Sequence, residues 1–320
     1  MSGGAVHPAS VRLELDAIGQ AAWERLFDAI PDSVLEQSWT YGEAVRLAAG
    51  RSVTRGLIMS GEAPVGLVQV FIHKFFGCIA IPEILRGPVF LPETSEDEKQ
   101  AALSLVRQQW RRGFVQFPRW MPELPDTPEA QSLLRQLGVR QVVTGYPTVL
   151  VDLTASTVQM RAGLDGKWRN ALSQAEKSGL KVKFARGGKA VEKAVRHYDA
   201  MRRKRRFSGP SGATATAFHQ LVRRQRDLLA VTVSRGSDVL SGALFLGHGQ
   251  TATYYMGWTA KAGRAVNSQN LALWRGMLKL SEDGFTSLDM GGIDTWREPG
   301  IARFKIGTGG RVYMTAGTWM

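Results

Sequence analysis

The chain has 320 residues, 44% of them apolar, and a formal net charge of +13. That length exceeds what one hydrophobic core usually organises, so two domains of about 150 residues are expected. One cysteine, Cys78, and five scattered histidines exclude an internal disulfide framework and offer no metal-ligand spacing, which fits a metal-free protein of a reducing, cytoplasmic setting.

The opening "MSGGAVHPASVRLELD" has neither the basic start nor the apolar core of a signal peptide. In "AAWERLFDAI", Trp23, Leu26, Phe27 and Ile30 recur at helical spacing, and Pro31-Asp32 ends the pattern. A second helix is expected near Gln37 to Ala48, followed by strands "VTRGLIMS" and "APVGLVQVFIHKFF" joined at "GEAP". "ETSEDEKQAALSLVRQQWRRG" carries acids in its first turn and bases in its last, the charge order that a helix dipole favours. "GVRQVVTGYPTVLVDL" then reads as a strand leading out near residue 152, where the domain boundary is placed: 1–152 and 153–320, with the last strand able to cross back.

The second half repeats this grammar. "LDGKWRNALSQAEKSG" puts Trp168, Ala171, Leu172 and Ala175 on one helical face and stops at Gly179, before the short strand "LKVKF". A long helix from about Lys189 runs into "MRRKRRFSGPSG", a basic helix end and loop. Another helix follows, then strands "LLAVTVS", "VLSGALFLG" and "TATYYMGWT", a helix from Asn267 to Asp283 and the strand "TSLDM". The uncharged run Val239 to Ala260 is broken by "GHGQT", so it reads as a hairpin and not as an integral membrane segment. Helices and strands recurring in the same order point to an α/β class with mixed α+β sheets and to two copies of one fold.

Charge separates the halves. Residues 1–150 hold 14 Lys and Arg against 16 Asp and Glu, whereas residues 161–226 alone hold 18 against 4. Such a segment attracts polyanions, whether nucleic acid, nucleotide phosphate or an anionic membrane surface; the bland alternative is a solvated helix face.

Near the C-terminus, "IARFKIGTGG" sets Lys305 between Phe304 and a run of glycine and threonine. Glycines flanking a cation mark either backbone that must approach a substrate or a plain hairpin turn. Asp289 and Asp294 flank "MGGI", where a carboxylate can accept a proton or simply cap the loop through backbone N–H groups.

Together, "KWRNALSQAEKSGLKV", "MRRKRRFSG", "YYMGWTAKAGR", "NLALWRGMLKLSEDGFTSLDMGGID" and "GIARFKIGTGG", with a closing "AGTWM", resemble the Fem-type peptidyltransferases, a branch of the GNAT acyltransferase superfamily. "LEQSWTYGEA" is similar to that family's first-domain helix, though Glu43 stands where some muropeptide-binding members have lysine. The resemblance implies two tandem GNAT-like domains, here with no coiled-coil arm, and acyl transfer to an amine. Donors in the family are best known as aminoacyl-tRNA, so aminoacyl-tRNA is the implied partner, with an anionic or nucleotide-linked acceptor such as a peptidoglycan precursor. Acyl-CoA is the alternative donor co-substrate, and no other cofactor is implied. A non-catalytic polyanion-binding module is the reading from another class. "GRAVNSQN", before the helix where other GNAT enzymes bind the coenzyme A pyrophosphate, lacks their glycine-rich loop, which counts against coenzyme A.

The resemblance also assigns roles. Lys305 matches the lysine of the family's Phe-Lys-x-Gly motif, with Phe304 before it, and suits stabilisation of the tetrahedral oxyanion. Read from the residues themselves, Asp289 or Asp294 is the candidate base, with loop capping the favoured alternative for each. Arg205 and Arg206, ahead of Phe207, and Arg169 beside Trp168 are candidate phosphate ligands, while Trp168 itself reads as core. Tyr254 and Tyr255 alternate along a strand, so one of them is expected to face the substrate and the other to pack.

Overall fold

The structure is a computed structural model that describes residues 11–76, 78–206 and 209–320; Phe207 lies outside them. Its elements in chain order are β1 (Val11–Leu15), α1 (Gln20–Phe27), α2 (Trp39–Ala49), β2 (Ser52–Ser60), β3 (Ala63–Phe75), β4 (Ile79–Leu85), β5 (Val89–Phe90), α3 (Glu96–Gln109), β6 (Arg119–Met121), α4 (Pro128–Gln136), β7 (Gln141–Val143), β8 (Pro147–Asp152), α5 (Thr157–Gly163) and α6 (Gly166–Glu176). They continue with β9 (Lys181–Ala185), α7 (Gly188–Arg205), α8 (Gly212–Leu221), β10 (Leu228–Arg235), β11 (Asp238–His248), β12 (Thr251–Thr259), α9 (Lys261–Ala265), α10 (Ser268–Glu282), β13 (Ser287–Asp289), α11 (Pro299–Ile306), β14 (Arg311–Met314) and β15 (Thr318–Trp319).

Two compact units divide the chain: the first takes residues up to Gly42, Gly50–Gly145 and Thr315–Met320, the second Glu43–Ala49 and Tyr146–Met314. In the first, an eight-stranded mixed sheet runs β1-β2-β3-β4-β6-β15-β7, with β5 on β3. Helix α3 begins with a reciprocal Ser95–Glu98 capping box, which satisfies N–H groups that a helix start otherwise leaves open. Its buried Ala102, Leu103 and Val106 show why the acid-to-base charge order lies on the outside. Trp23, Phe27, Ile30 and Val34 close one core cluster and Val70, Ile84, Leu103, Trp120 and Trp319 another.

The second unit is a seven-stranded sheet in the order β14-β8-β13-β12-β11-β10-β9. Strand alternation sorts its faces: Val149 and Val151 of β8, Leu229, Val231 and Val233 of β10 and Leu288 of β13 join Trp168 and Leu172 of α6 and Leu273, Trp274 and Met277 of α10 in one core. The "GVRQVVTGYPTVLVDL" stretch, read from sequence as one strand ending the first half, is two. Gln141–Val143 pairs in the first sheet and Pro147–Asp152 pairs between β13 and β14 in the second. The boundary therefore falls at Gly145 and not after residue 152, because Val149, Val151 and Leu153 join the second core while Val139 joins the first and Gln141–Val143 is exposed.

Candidate active site

Strand pairing opens the site. β12 runs parallel to β13 only through Thr251–Ser287, Ala252–Leu288 and Thr253–Asp289, yet β12 itself continues to Thr259. Beyond Thr253 the two strands part, leaving a fork whose crotch is formed by the Tyr254 backbone and the loop after Asp289. On its other edge β12 carries a bulge: Leu244 faces Met256 and Phe245 faces Tyr254, so the register steps over Tyr255. Bulges free backbone polar groups and redirect side chains.

Asp289 ends β13 and is only 3% exposed. Its Oδ1 accepts the Thr148 hydroxyl at 2.5 Å and the Gly291 N–H at 2.7 Å, and the same hydroxyl lies 3.0 Å from the Gly291 carbonyl oxygen. Two donors thus fix the carboxylate and hold the Asp289–Gly291 turn, where Gly291 takes a φ of 67° that a side chain would strain. Gly292 lies flat against the Tyr146 ring, about where a β-carbon would sit.

Lys305 comes to this turn from a helix and not from a hairpin. Pro299 occupies the first turn of α11, where its missing N–H costs nothing. Ala302 and Lys305, three residues apart, share its inner face, with Ala302 buried and Lys305 half-buried. The Lys305 Nζ donates to the Gly292 carbonyl oxygen at 2.7 Å. A methyl group placed on Gly291 would lie 3.7 Å from both that Nζ and the Tyr254 carbonyl oxygen, which puts the ammonium at the crotch of the fork. Burial pushes the Lys305 pKa down to about 8, partly opposed by the Asp289 charge. A lysine in this state is mostly an ammonium at neutral pH yet sheds its proton readily.

The glycines after Lys305 serve packing. A β-carbon at Gly307 would press on Trp168, one at Gly309 would collide with the Gly163 carbonyl, and one at Gly310 with the Leu150 carbonyl. They let the end of α11 lie directly on α5, α6 and β8. Phe304 joins this contact: its carbonyl oxygen accepts the Trp168 indole N–H at 3.1 Å, and the two rings lie 5.9 Å apart. Trp168 is core, as its helical face implied.

Among the other sequence candidates, the side chains of Asp294, Arg169 and Tyr254 make contacts of their own. Asp294 is exposed and accepts the Trp296 and Arg297 N–H groups, a turn cap. Arg169 donates to the Ala162 carbonyl oxygen at 2.9 Å, closing the end of α5. Arg205 and Arg206 are exposed at the C-terminus of α7, Arg206 at a φ of 52° as its cap; cations there suit the helix dipole and leave the guanidinium groups open to solvent. Tyr254 packs on Phe245 at 5.6 Å and accepts from Gln269 Nε2 at 2.9 Å. Burial raises its pKa, with the Gln269 bond opposing. Tyr255 is buried outside that core cluster. Tyr146, Thr148 and the Gly291–Gly292 pair escaped sequence reasoning. The one signal for Thr148 was its place in the alternation, on the face opposite Val149 and Val151.

Two mixed α/β units, the second with a short parallel strand pair and a bulged neighbour, form a tandem GNAT-like fold. Residues 160–305 match the acetyltransferase (GNAT) domain family. Among solved structures the chain is similar to FemX, at 15% identity and a TM-score of 0.78 over 96% of each chain. It is also similar to a tandem GNAT protein from the clavulanic acid biosynthesis pathway, at 11% identity and a TM-score of 0.53 over 96% of this chain and 98% of that one. L-PGS from Bacillus licheniformis, at 11% identity, gives 0.51 over 86% and 85%. No curated protein matches the chain at the level of sequence. The fold is thus the tandem GNAT-like fold that the sequence blocks implied, and no helix among the described residues is long and apolar enough to cross a membrane.

Proposed function

We propose that the protein is an N-acyltransferase that forms an amide at the β12–β13 fork, with Lys305 stabilising the oxyanion. The observation that carries this reading is the half-buried Lys305 ammonium at the crotch, beside a carboxylate already held by two donors. An amine attacks the ester or thioester carbonyl of the donor, the C–N bond forms, and negative charge develops on the carbonyl oxygen. A fixed cation there lowers the barrier without reorganising at the moment of reaction. Collapse expels the alcohol or thiol, and the proton lost by the amine goes to the leaving group, directly or through a base. Asp289 holds the turn that presents Lys305 and raises the fraction of ammonium; it is a positioning residue.

Aminoacyl-tRNA is the favoured donor and an amine of a peptidoglycan precursor or nucleotide-linked small molecule the favoured acceptor. Support comes from the basic segment 161–226, from the likeness to FemX in fold, and from the start of α10. There Asn267, at a φ of 52°, hydrogen-bonds Gln174, and Gly263 is the only glycine between Ala260 and Ser268. The stretch of β12 beyond Thr253, past its pairing with β13, supports the second reading, an acyl-CoA donor, because an extended amide chain can pair with a strand edge. Incubation with mixed, labelled charged tRNAs and a UDP-linked muropeptide is expected to give label transfer abolished by RNase pretreatment. Transfer that survives RNase and requires a CoA thioester, with a rise in melting temperature on adding that thioester, would replace the first reading by the second. No turnover on either donor, with salt-sensitive polyanion binding intact, would reduce the protein to a binding module.

A further inference from the structure

In the first unit two loops end in phenylalanines whose side chains are almost wholly exposed. The β3–β4 hairpin turns through Phe76, whose side chain is 95% exposed, and the loop between α3 and β6 turns through Phe114, fully exposed at 102%. The loops are stitched together: Ala80 N–H donates to the Val115 carbonyl at 2.8 Å and Phe117 N–H to the Ala80 carbonyl at 3.0 Å. Each tip is closed by its own turn bond, Cys78 to Phe75 at 3.2 Å and Gly113 to Gln116 at 3.0 Å. Phe75 and Val115, at 39% and 51% exposure, extend the apolar surface between them. Phe76 also sits at a φ of 49°, a conformation that a bulky side chain adopts only where the surrounding structure enforces it.

The charge around these tips has one sign. Lys74, Arg111, Arg112 and Arg119 are all exposed, and neither residues 71–82 nor residues 111–119 include an acid. The nearest acid in sequence, Glu83, is already paired with Arg51 and Arg119. Nearly complete exposure makes the phenylalanines projections and not the lining of a groove. A protein interface is built from a broad, closely packed patch, whereas two protruding aromatics ringed by cations match a surface that is apolar below and anionic above.

We propose that the paired tips around Phe76 and Phe114 dock the protein on an anionic phospholipid bilayer, the aromatic rings entering the acyl boundary and Lys74, Arg111 and Arg112 facing the phosphates. This inference does not rest on the acyltransferase reading. The test is flotation with vesicles of phosphatidylcholine alone and of phosphatidylcholine mixed with phosphatidylglycerol. Cys78, exposed beside the tip and the chain's single cysteine, carries an environment-sensitive fluorophore as a second readout. The parent protein is expected to float with the anionic vesicles only, to be released by salt, and to show a blue shift of the Cys78 probe. Phe76→Ser combined with Phe114→Ser is expected to weaken partition by on the order of 100-fold, and Lys74→Gln combined with Arg112→Gln by on the order of tenfold. All four side chains are exposed, so matching thermal melts will show that the variants fold. Failure of the parent to float overturns the proposal. So does flotation that is lost in Arg203→Gln, Arg205→Gln, Arg206→Gln protein but kept in the phenylalanine variant, because binding then belongs to the end of α7. A dimer in sedimentation velocity that depends on Phe76 and Phe114, without flotation, assigns the tips to a second copy of the chain and overturns it equally.

Discussion

Replacing Lys305 by methionine separates the cost of a buried cation from its use. The lysine pKa falls from 10.5 to about 8, so holding the ammonium in the folded protein costs about 3 kcal/mol relative to water. Below pH 8 the group is charged both folded and unfolded, and that cost is carried in full. Between pH 8 and 10.5 the folded protein releases the proton while the unfolded chain keeps it, so stability rises with pH across that window. Methionine has the stem without the charge. At pH 7, Lys305→Met is therefore expected to be more stable than the parent by up to about 3 kcal/mol, less about 1 kcal/mol for the lost bond to the Gly292 carbonyl. The advantage should vanish as the pH approaches 10.5. The same variant is expected to lose kcat and kcat/KM together, on the order of 10²–10³-fold, with KM nearly unchanged. Urea denaturation at pH 7 and pH 10, read beside transfer kinetics, checks both halves. A Lys305→Met protein with parental kcat refutes the catalytic role, and one destabilised by several kcal/mol at pH 7 refutes the burial argument.

Other outcomes follow from the same geometry. Activity of the parent is expected to fall as the pH rises through about 8, because the ammonium is the acting form; Lys305→Arg, partly active, should lack that alkaline limb because a guanidinium stays charged. Asp289→Asn can keep the Thr148 and Gly291 bonds while removing the charge that favours the Lys305 ammonium, so the limb should move to lower pH in a pH–rate profile. Thr148→Val removes the hydroxyl donor to a buried carboxylate and is expected to cost about 1–3 kcal/mol in denaturant melts, with Thr148→Ser recovering most of it. Arg205→Ala with Arg206→Ala should change stability by no more than about 0.5 kcal/mol and weaken tRNA binding chiefly at low salt, lowering the salt slope by about one per phosphate contact.

Much of the scaffold was legible because it is local. Helix α3 announces itself through Ser95, its acids and its terminal arginines, and α6, α7 and α10 through 3.6-residue periodicity. β10, β11 and β12 follow from apolar runs separated by glycine turns at 236 and 249. The loop-capping role of Asp294 and the core role of Trp168 were both readable as the plainer alternatives. What stayed hidden depends on partners distant in sequence. "PGIARFKI" has too short an apolar pattern to declare a helix, and the four glycine and threonine residues after it suggested a turn near substrate. Their actual neighbours are Trp168, Gly163 and Leu150, a packing relation that no local pattern encodes. Tyr254 and Tyr255 were expected to alternate, but the bulge opposite Leu244 and Phe245 adds a residue and breaks the period of two.

Whereas the candidacy of Lys305 came from the family resemblance, the sequence by itself determined the α/β class, the two repeated units and the concentration of positive charge in residues 161–226. These are properties of composition, periodicity and order along the chain, and each is set within a few residues. Only the tertiary structure decided that Lys305 meets Asp289, Thr148 and the Gly291–Gly292 turn, drawn from segments up to 157 residues apart. A lysine's proton affinity is set by what surrounds it after folding. The burial that brings its pKa to about 8 exists only once α11 lies on α5 and α6 and β12 has parted from β13.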